Sequence, residues 1–283
     1  MTRVAVYDPT PCDLGEGPLW HPLRQQLFWF DINNHRMHTR HANETQTWQF
    51  DEYVSAAGWV DESQMVIASE SGLSLFDITT GARDMVCKIE ADNPTTRSND
   101  CRADPQGGFW FGTMGKNQEP EVGAIWRYYR GELRQLYPDI TIANAICFAP
   151  SGDLAYFTDT PTGKVWRQAL DEDGWPQGNP DLFLDLTADS YRPDGAVVDV
   201  EGDLWIAQYG HGSVVRFGPD GTEKETITVP GSNTTCPAFG GRDLCTLFVT
   251  TARQSMADPA PEDGQTCHLT VDATGQAEHR VIL

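Results

Sequence analysis

The chain has 283 residues, with 20 Lys and Arg against 41 Asp and Glu, a formal charge of −21. So acidic a chain repels nucleic acid and anionic membrane surfaces. A hydrophobic share of 39%, with 9 Trp, 12 Phe and 8 Tyr, excludes a disordered polymer and supplies a large core.

Residues 1–17 hold no apolar leader core, and no apolar run approaches the roughly 18 residues of a membrane span, so a cytoplasmic protein is expected. The seven cysteines are odd in number and form no C-x-x-C, which argues against a disulfide framework and a thiolate zinc centre. Cys101 and Cys147 fall in apolar runs and read as small buried hydrophobes.

In chain order, RVAVYD (3–8) reads as a strand preceding the first repeat. Then come QQLFWFDI (25–32), SQMVIASE (63–70), GGFWFGTM (107–114), GDLAYFTD (152–159), GDLWIAQY (202–209) and DLCTLFVTT (243–251). Each is aromatic or β-branched and follows a turn signal. Taken from Leu27, Met65, Phe109, Leu154, Leu204 and Leu247, the steps are 38, 44, 45, 50 and 43 residues. A period of roughly 40–50 residues with four short strands per unit marks a propeller blade.

Ser151-Gly152 and Glu201-Gly202 supply tight turns between first and second strands, and GPDG (218–221) turns a third strand into a fourth. Almost no segment has a 3.6-residue period, so little helix is expected. SMADPAPEDGQ (255–265) reads as a loop and TCHLTVDATGQAEHRVIL (266–283) as a hairpin. The expected architecture is one all-β domain over 1–283: a six-bladed β-propeller of four-stranded antiparallel blades with a central metal site. The strand at 3–8 would pair with the last blade and close the ring, leaving no open sheet edge.

Strands alternate in direction within a blade. Loops entering the innermost strand therefore share a face with loops joining the second strand to the third. The entering loops carry polar groups that packing does not need: Glu16 in GEGP, Arg97, Asn99 and Asp100 in TTRSND, Asn144 in TIANA, and Asp194 in YRPDG. Six-fold geometry would gather them near the axis. Two carboxylates and an amide oxygen are hard donors suited to Ca²⁺, Mg²⁺ or Mn²⁺. Each residue also has a plain structural reading, as a turn acid, a loop-bonding Asn or a surface Arg. The weight comes from matching positions in different repeats.

Taken together, GEGPLW, R-x-ND followed by DP-x-G-x-FW-x-GTM, AN before an apolar strand, PDGAVVD-x-EG-x-LW and PAFGGRDLCTLFVTTAR (237–253) resemble the SMP-30/gluconolactonase/regucalcin family from about residue 3 to 254. The resemblance implies a six-bladed propeller with one divalent ion (Ca²⁺, Mg²⁺, Mn²⁺, Zn²⁺ or Fe²⁺) held by Glu16, Asn144 and Asp194. It implies substrate contacts from Arg97 and Asn99, and proton transfer by Asp194.

The sequence departs from the family after GTM. Some members carry an acid there that meets the sugar, whereas this chain places Lys116 in GTMGKNQEPE, suited to a carboxylated lactone. His211 in QYGHGSV also falls in a loop of the expected active face. His35, His38 and His41 lie three apart in a hairpin context, where 35 and 38 point to opposite faces. No G-x-S-x-G or H-E-x-x-H occurs.

The implied activity is metal-dependent hydrolysis of an aldono- or aldaro-lactone, with a small sugar lactone as partner and neither nucleic acid nor membrane. The alternatives are a non-enzymatic calcium-binding protein, a phosphotriesterase-like or aryl-ester hydrolase on the same scaffold, and a docking platform.

Overall fold

The structure, a computed structural model, describes residues 4–42 and 44–283. Six four-stranded antiparallel sheets are arranged in chain order. Blades I to V span 15–49, 54–88, 96–140, 143–185 and 193–228. Blade VI is built from Asn233–Gly240, Thr246–Ala252 and Thr266–Thr270, and its fourth strand is Ala5–Asp8 from the other end of the chain. That strand runs antiparallel to Thr266–Thr270, with Val6 opposite Cys267. The expected closure is therefore present; Arg3 of the expected strand lies outside the described residues. Among the described residues, helix amounts to one 3₁₀ turn, Thr160–Thr162.

The six sequence markers all fall in the second strand of their blades, which explains their even spacing. Those strands are sandwiched between neighbouring blades. Trp29, Trp110 and Trp205, at like positions in LFWF, GFWF and DLWI, are fully buried. Fourth strands are largely exposed, as in Glu44–Gln49 and Glu223–Thr228. First strands line the axis and touch one another around the ring.

A repeated device turns the first strand into the second. Asp61, Asp104 and Asp199 each accept two backbone N–H groups of the hairpin that follows, at 2.8–3.0 Å. An Asp side chain is well suited to this, since it satisfies the turn amides locally.

The C-terminal segment is not a hairpin. Only Thr266–Thr270 is a strand. The remainder runs extended across the face opposite the strand-entering loops and bonds to blade after blade. Thr274 O accepts from Val200 N, and Gln276 Nε2 donates to Phe148 O and Val198 O. Glu278 pairs with Arg102, while Val281 N and Ile282 N donate to Trp59 O and Gly107 O. Blade VI already has its fourth strand, so the tail has no sheet edge to fold back upon.

Arg127 and Asp104 form an ion pair with both side chains fully buried, Nε to Oδ2 at 2.6 Å. The guanidinium also donates to Asp173 O and lies 4.2 Å from the centre of the Trp175 ring. Removing one member strands the other charge out of water. Arg127→Leu is expected to lower the unfolding free energy in urea by about 3–5 kcal/mol; a loss under about 1 kcal/mol would contradict this account of blade III.

Candidate active site

Every innermost strand slips register near its start. The shifts fall between Glu16 and Leu19, Val54 and Ala56, Ser98 and Cys101, Asn144 and Cys147, Pro193 and Ala196, and Thr234 and Pro237. A bulge bends its strand and re-aims a side chain. Repeated six times around an axis, it turns polar side chains toward one space. The glycines of GEGP meet the same crowding. A Cβ at Gly15 would lie 2.4 Å from Thr251 O, and one at Gly17, whose φ is +52°, 2.2 Å from Ser55 O. Glu16 thus sits where the inner strand of blade II and the second strand of blade VI leave no room for side chains on either side of it.

Glu16, Arg97, Asn99, Asn144 and Asp194 are all buried and all line one cavity. Leu14, Met114 and Ile142 give it apolar wall, and Gln118, Arg192, Tyr209 and Gln254 complete the polar lining.

One hydrogen-bond relay orders blades III to V. Arg97 donates to Asn99 Oδ1 at 2.9 Å and to Ser98 O at 2.7 Å. Asn99 Nδ2 donates to Asn144 Oδ1 at 3.0 Å and to Ala143 O at 2.9 Å. Asn144 Nδ2 donates to Thr160 Oγ1, which donates to Pro193 O beside Asp194. An arginine can only donate. Its contact therefore fixes the Asn99 amide, which fixes Asn144 with its carbonyl oxygen as the acceptor. That oxygen keeps a second lone pair.

The carboxylates are poorly compensated. Burial, then the like charge of Asp100, pushes Glu16 up to about 8, against the pull of the Gly17 N–H and Arg97. Burial and the charges of Glu16 and Asp100 raise Asp194 well above the usual carboxylate range, with Arg192 and Arg97 opposing. Burial lowers Arg97 to about 10. Asp100 does not line this cavity: its Oδ2 accepts from Ile146 N at 2.7 Å, and it borders a smaller space with Arg102 and Glu278 further along the axis.

Two residues expected at the site are placed elsewhere. Lys116 is ion-paired with Glu70, rests 5.6 Å from the centre of the Tyr53 ring and does not line the cavity. His211 is exposed, meets Ser190 O through Nε2 at 3.0 Å and stands edge-on to Tyr191. His35, His38 and His41 do not converge, since only His38 is buried. His38 instead comes with Cys12 and Asp31 into a group whose donor atoms lie within 4.8 Å of one another. In it Asp31 accepts from the Asp13 and Leu14 amides, and none of the three lines the cavity. All seven cysteines are free.

Thr160, Arg192 and Tyr209 escaped sequence reasoning. Arg192 had a visible signal, a cation two residues before Asp194. Thr160 had none, because its role depends on blades IV and V meeting.

The family model described as SMP-30/gluconolactonase/LRE-like region matches residues 14–253. A putative sugar lactone lactonase of Rhizobium meliloti (strain 1021) is 35% identical over 94% of this chain and 92% of its own. The 6-deoxy-6-sulfogluconolactonase of Pseudomonas putida is 35% identical over 87% of this chain and 85% of its own. The crystal structure of a calcium-binding protein, regucalcin, from Agrobacterium tumefaciens str. C58 superposes with a TM-score of 0.97 at 37% identity, covering 100% of this chain and 98% of that one.

Thr160→Val keeps the side-chain shape but leaves the buried Asn144 amide without its acceptor. A loss of about 1–3 kcal/mol in unfolding free energy is expected; unchanged stability in urea would show that the relay does not hold Asn144.

Proposed function

The chain belongs to the SMP-30/gluconolactonase/LRE-like family, and we propose that it hydrolyses a sugar lactone to the open-chain acid with the help of one divalent ion. It is a carboxylic ester hydrolase whose active site is the cavity around Glu16, Asn144 and Asp194. The observation that carries this reading is the meeting of two buried carboxylates and an oriented amide oxygen at the wall of a cavity that also holds Arg97 and Asn99. Three hard oxygen donors fit Ca²⁺, Mg²⁺ or Mn²⁺, with remaining positions left to water or substrate. Glu16, Asn144 and Asp194 would hold the ion. What a divalent ion supplies when bound there is polarisation of the lactone carbonyl and stabilisation of developing oxyanion charge.

The rest is work for the chain's own groups. Arg97 and Asn99 bind sugar hydroxyls and fix the ring relative to the carboxylates, which converts binding into orientation. The apolar wall of Leu14, Met114 and Ile142 limits the water that reaches the ester. Asp194 accepts a proton from the water that attacks the carbonyl carbon. As the bond from that carbon to the ring oxygen breaks, Asp194 returns a proton to the departing oxygen, and the product is a hydroxy acid.

The likeness to a calcium-binding regucalcin favours one rival, calcium binding without turnover. Proton release on neutral and carboxylated five- and six-carbon lactones, after chelation and after return of each ion, separates the two. Ion-dependent hydrolysis above the spontaneous rate is expected, and Asp194→Asn should lower it by about 10²–10⁴-fold. Tight calcium binding with no hydrolysis of any lactone would favour the rival, and full activity of Asp194→Asn would remove Asp194 from the chemistry.

A further inference from the structure

We infer that the cavity contains an anion subsite at its mouth, built on Arg192, and that the lactone it takes carries an acidic oxyanion group, carboxylate or sulfonate, at the end remote from the reacting carbonyl. This rests on the lactonase reading and names the substrate class within it.

The cations near the cavity differ in their commitments. Arg97 is buried and donates through Nη1 to Ser98 O and Asn99 Oδ1, and Lys116 is paired with Glu70. Arg253 donates to Asp263 O. Arg192 is different. It lines the cavity and is exposed, and among the described residues its guanidinium makes no hydrogen bond and no ion pair. In a chain with 41 acids and 20 bases, a cavity-lining guanidinium with no ion-pair or hydrogen-bond partner among the described residues stands out.

Arg192 is also held in place. It precedes Pro193, which restricts its backbone to extended conformations. Its guanidinium lies 5.3 Å from the centre of the Tyr209 ring, a cation–π contact that orients the group and leaves its N–H donors free. Gln118 and Gln254, which also line the cavity, are neutral.

Arg192 and Asp194 lie two residues apart in the chain and line the same cavity. A lactone whose carbonyl faces Glu16 and Asp194 would turn its far end toward Arg192. Guanidinium binds planar and tetrahedral oxyanions through paired N–H donors. The chain's charge of −21 repels an anionic substrate at long range, and one local cation at the mouth offsets that repulsion where it matters.

The test is a matched pair of substrates, D-glucono-1,4-lactone and D-glucaro-1,4-lactone, which share a ring and differ in a terminal hydroxymethyl against a carboxylate. Wild-type protein with its ion restored is expected to favour the carboxylated lactone at least about tenfold in kcat/KM, the advantage lying in KM and shrinking as NaCl is raised. Arg192→Gln should bring the ratio near one by raising KM for the carboxylated lactone, on top of any change in kcat that both lactones share through Asp194, and Arg192→Lys should restore part of it.

If Arg192 served only as a counter-charge for Asp194, Arg192→Gln would slow both lactones alike, and that result overturns the subsite. So does a wild-type preference for the neutral lactone, or a preference that survives Arg192→Gln. Failure to hydrolyse either lactone, or any of the wider panel, takes down the lactonase reading itself and is distinguishable from these outcomes.

Discussion

Glu16 and Asp194 come from the first and fifth blades and are held out of water facing one cavity, with Arg97 the buried cation beside them. An unpaired carboxylate taken from water costs several kcal/mol, and two that feel each other cost more. A flexible chain would turn such groups outward. Here they have no such freedom, because Glu16 is wedged between two glycines packed on neighbouring strands and Asp194 follows a proline at the start of an inner strand. The fold therefore keeps two carboxyl groups at one cavity wall, as the proposed ion site requires. The relay from Arg97 through Asn99, Asn144 and Thr160 to Pro193 adds an amide oxygen with a fixed orientation.

The surrounding propeller is what makes this possible. Each inner strand packs on the next around the axis. The ring closes because Ala5–Asp8 completes the sixth blade. On the opposite face the C-terminal tail bonds to inner-strand ends from blade II to blade V. A rearrangement of one blade would disturb both its neighbours, so the cavity is preorganised rather than assembled by substrate.

The repeat was legible in the sequence because each second strand is packed on both faces by adjacent blades. Six like environments select six like apolar runs, and these carry the period. Glu16, Asn99, Asn144 and Asp194 were legible for a related reason: each breaks the apolar pattern within one residue of the point where its inner strand bulges. Side chains whose partners lie in another blade were not legible. Lys116 reads as a site residue from its loop, yet Glu70 of blade II claims it from 46 positions away. His211 lies in a loop on the expected face but points to Ser190 O. The tail after Thr270 alternates enough to suggest a hairpin; that the N-terminal strand already fills the edge is a fact of ring closure that no local pattern carries.

The central claim is that Glu16, Asn144 and Asp194 hold a divalent ion in the cavity. Anomalous scattering from crystals soaked in Mn²⁺ tests it most directly. The account predicts one strong peak within bonding distance of oxygen atoms of those three residues. A peak only at the Cys12, Asp31 and His38 group, or none in crystals that have taken up the ion, would contradict it.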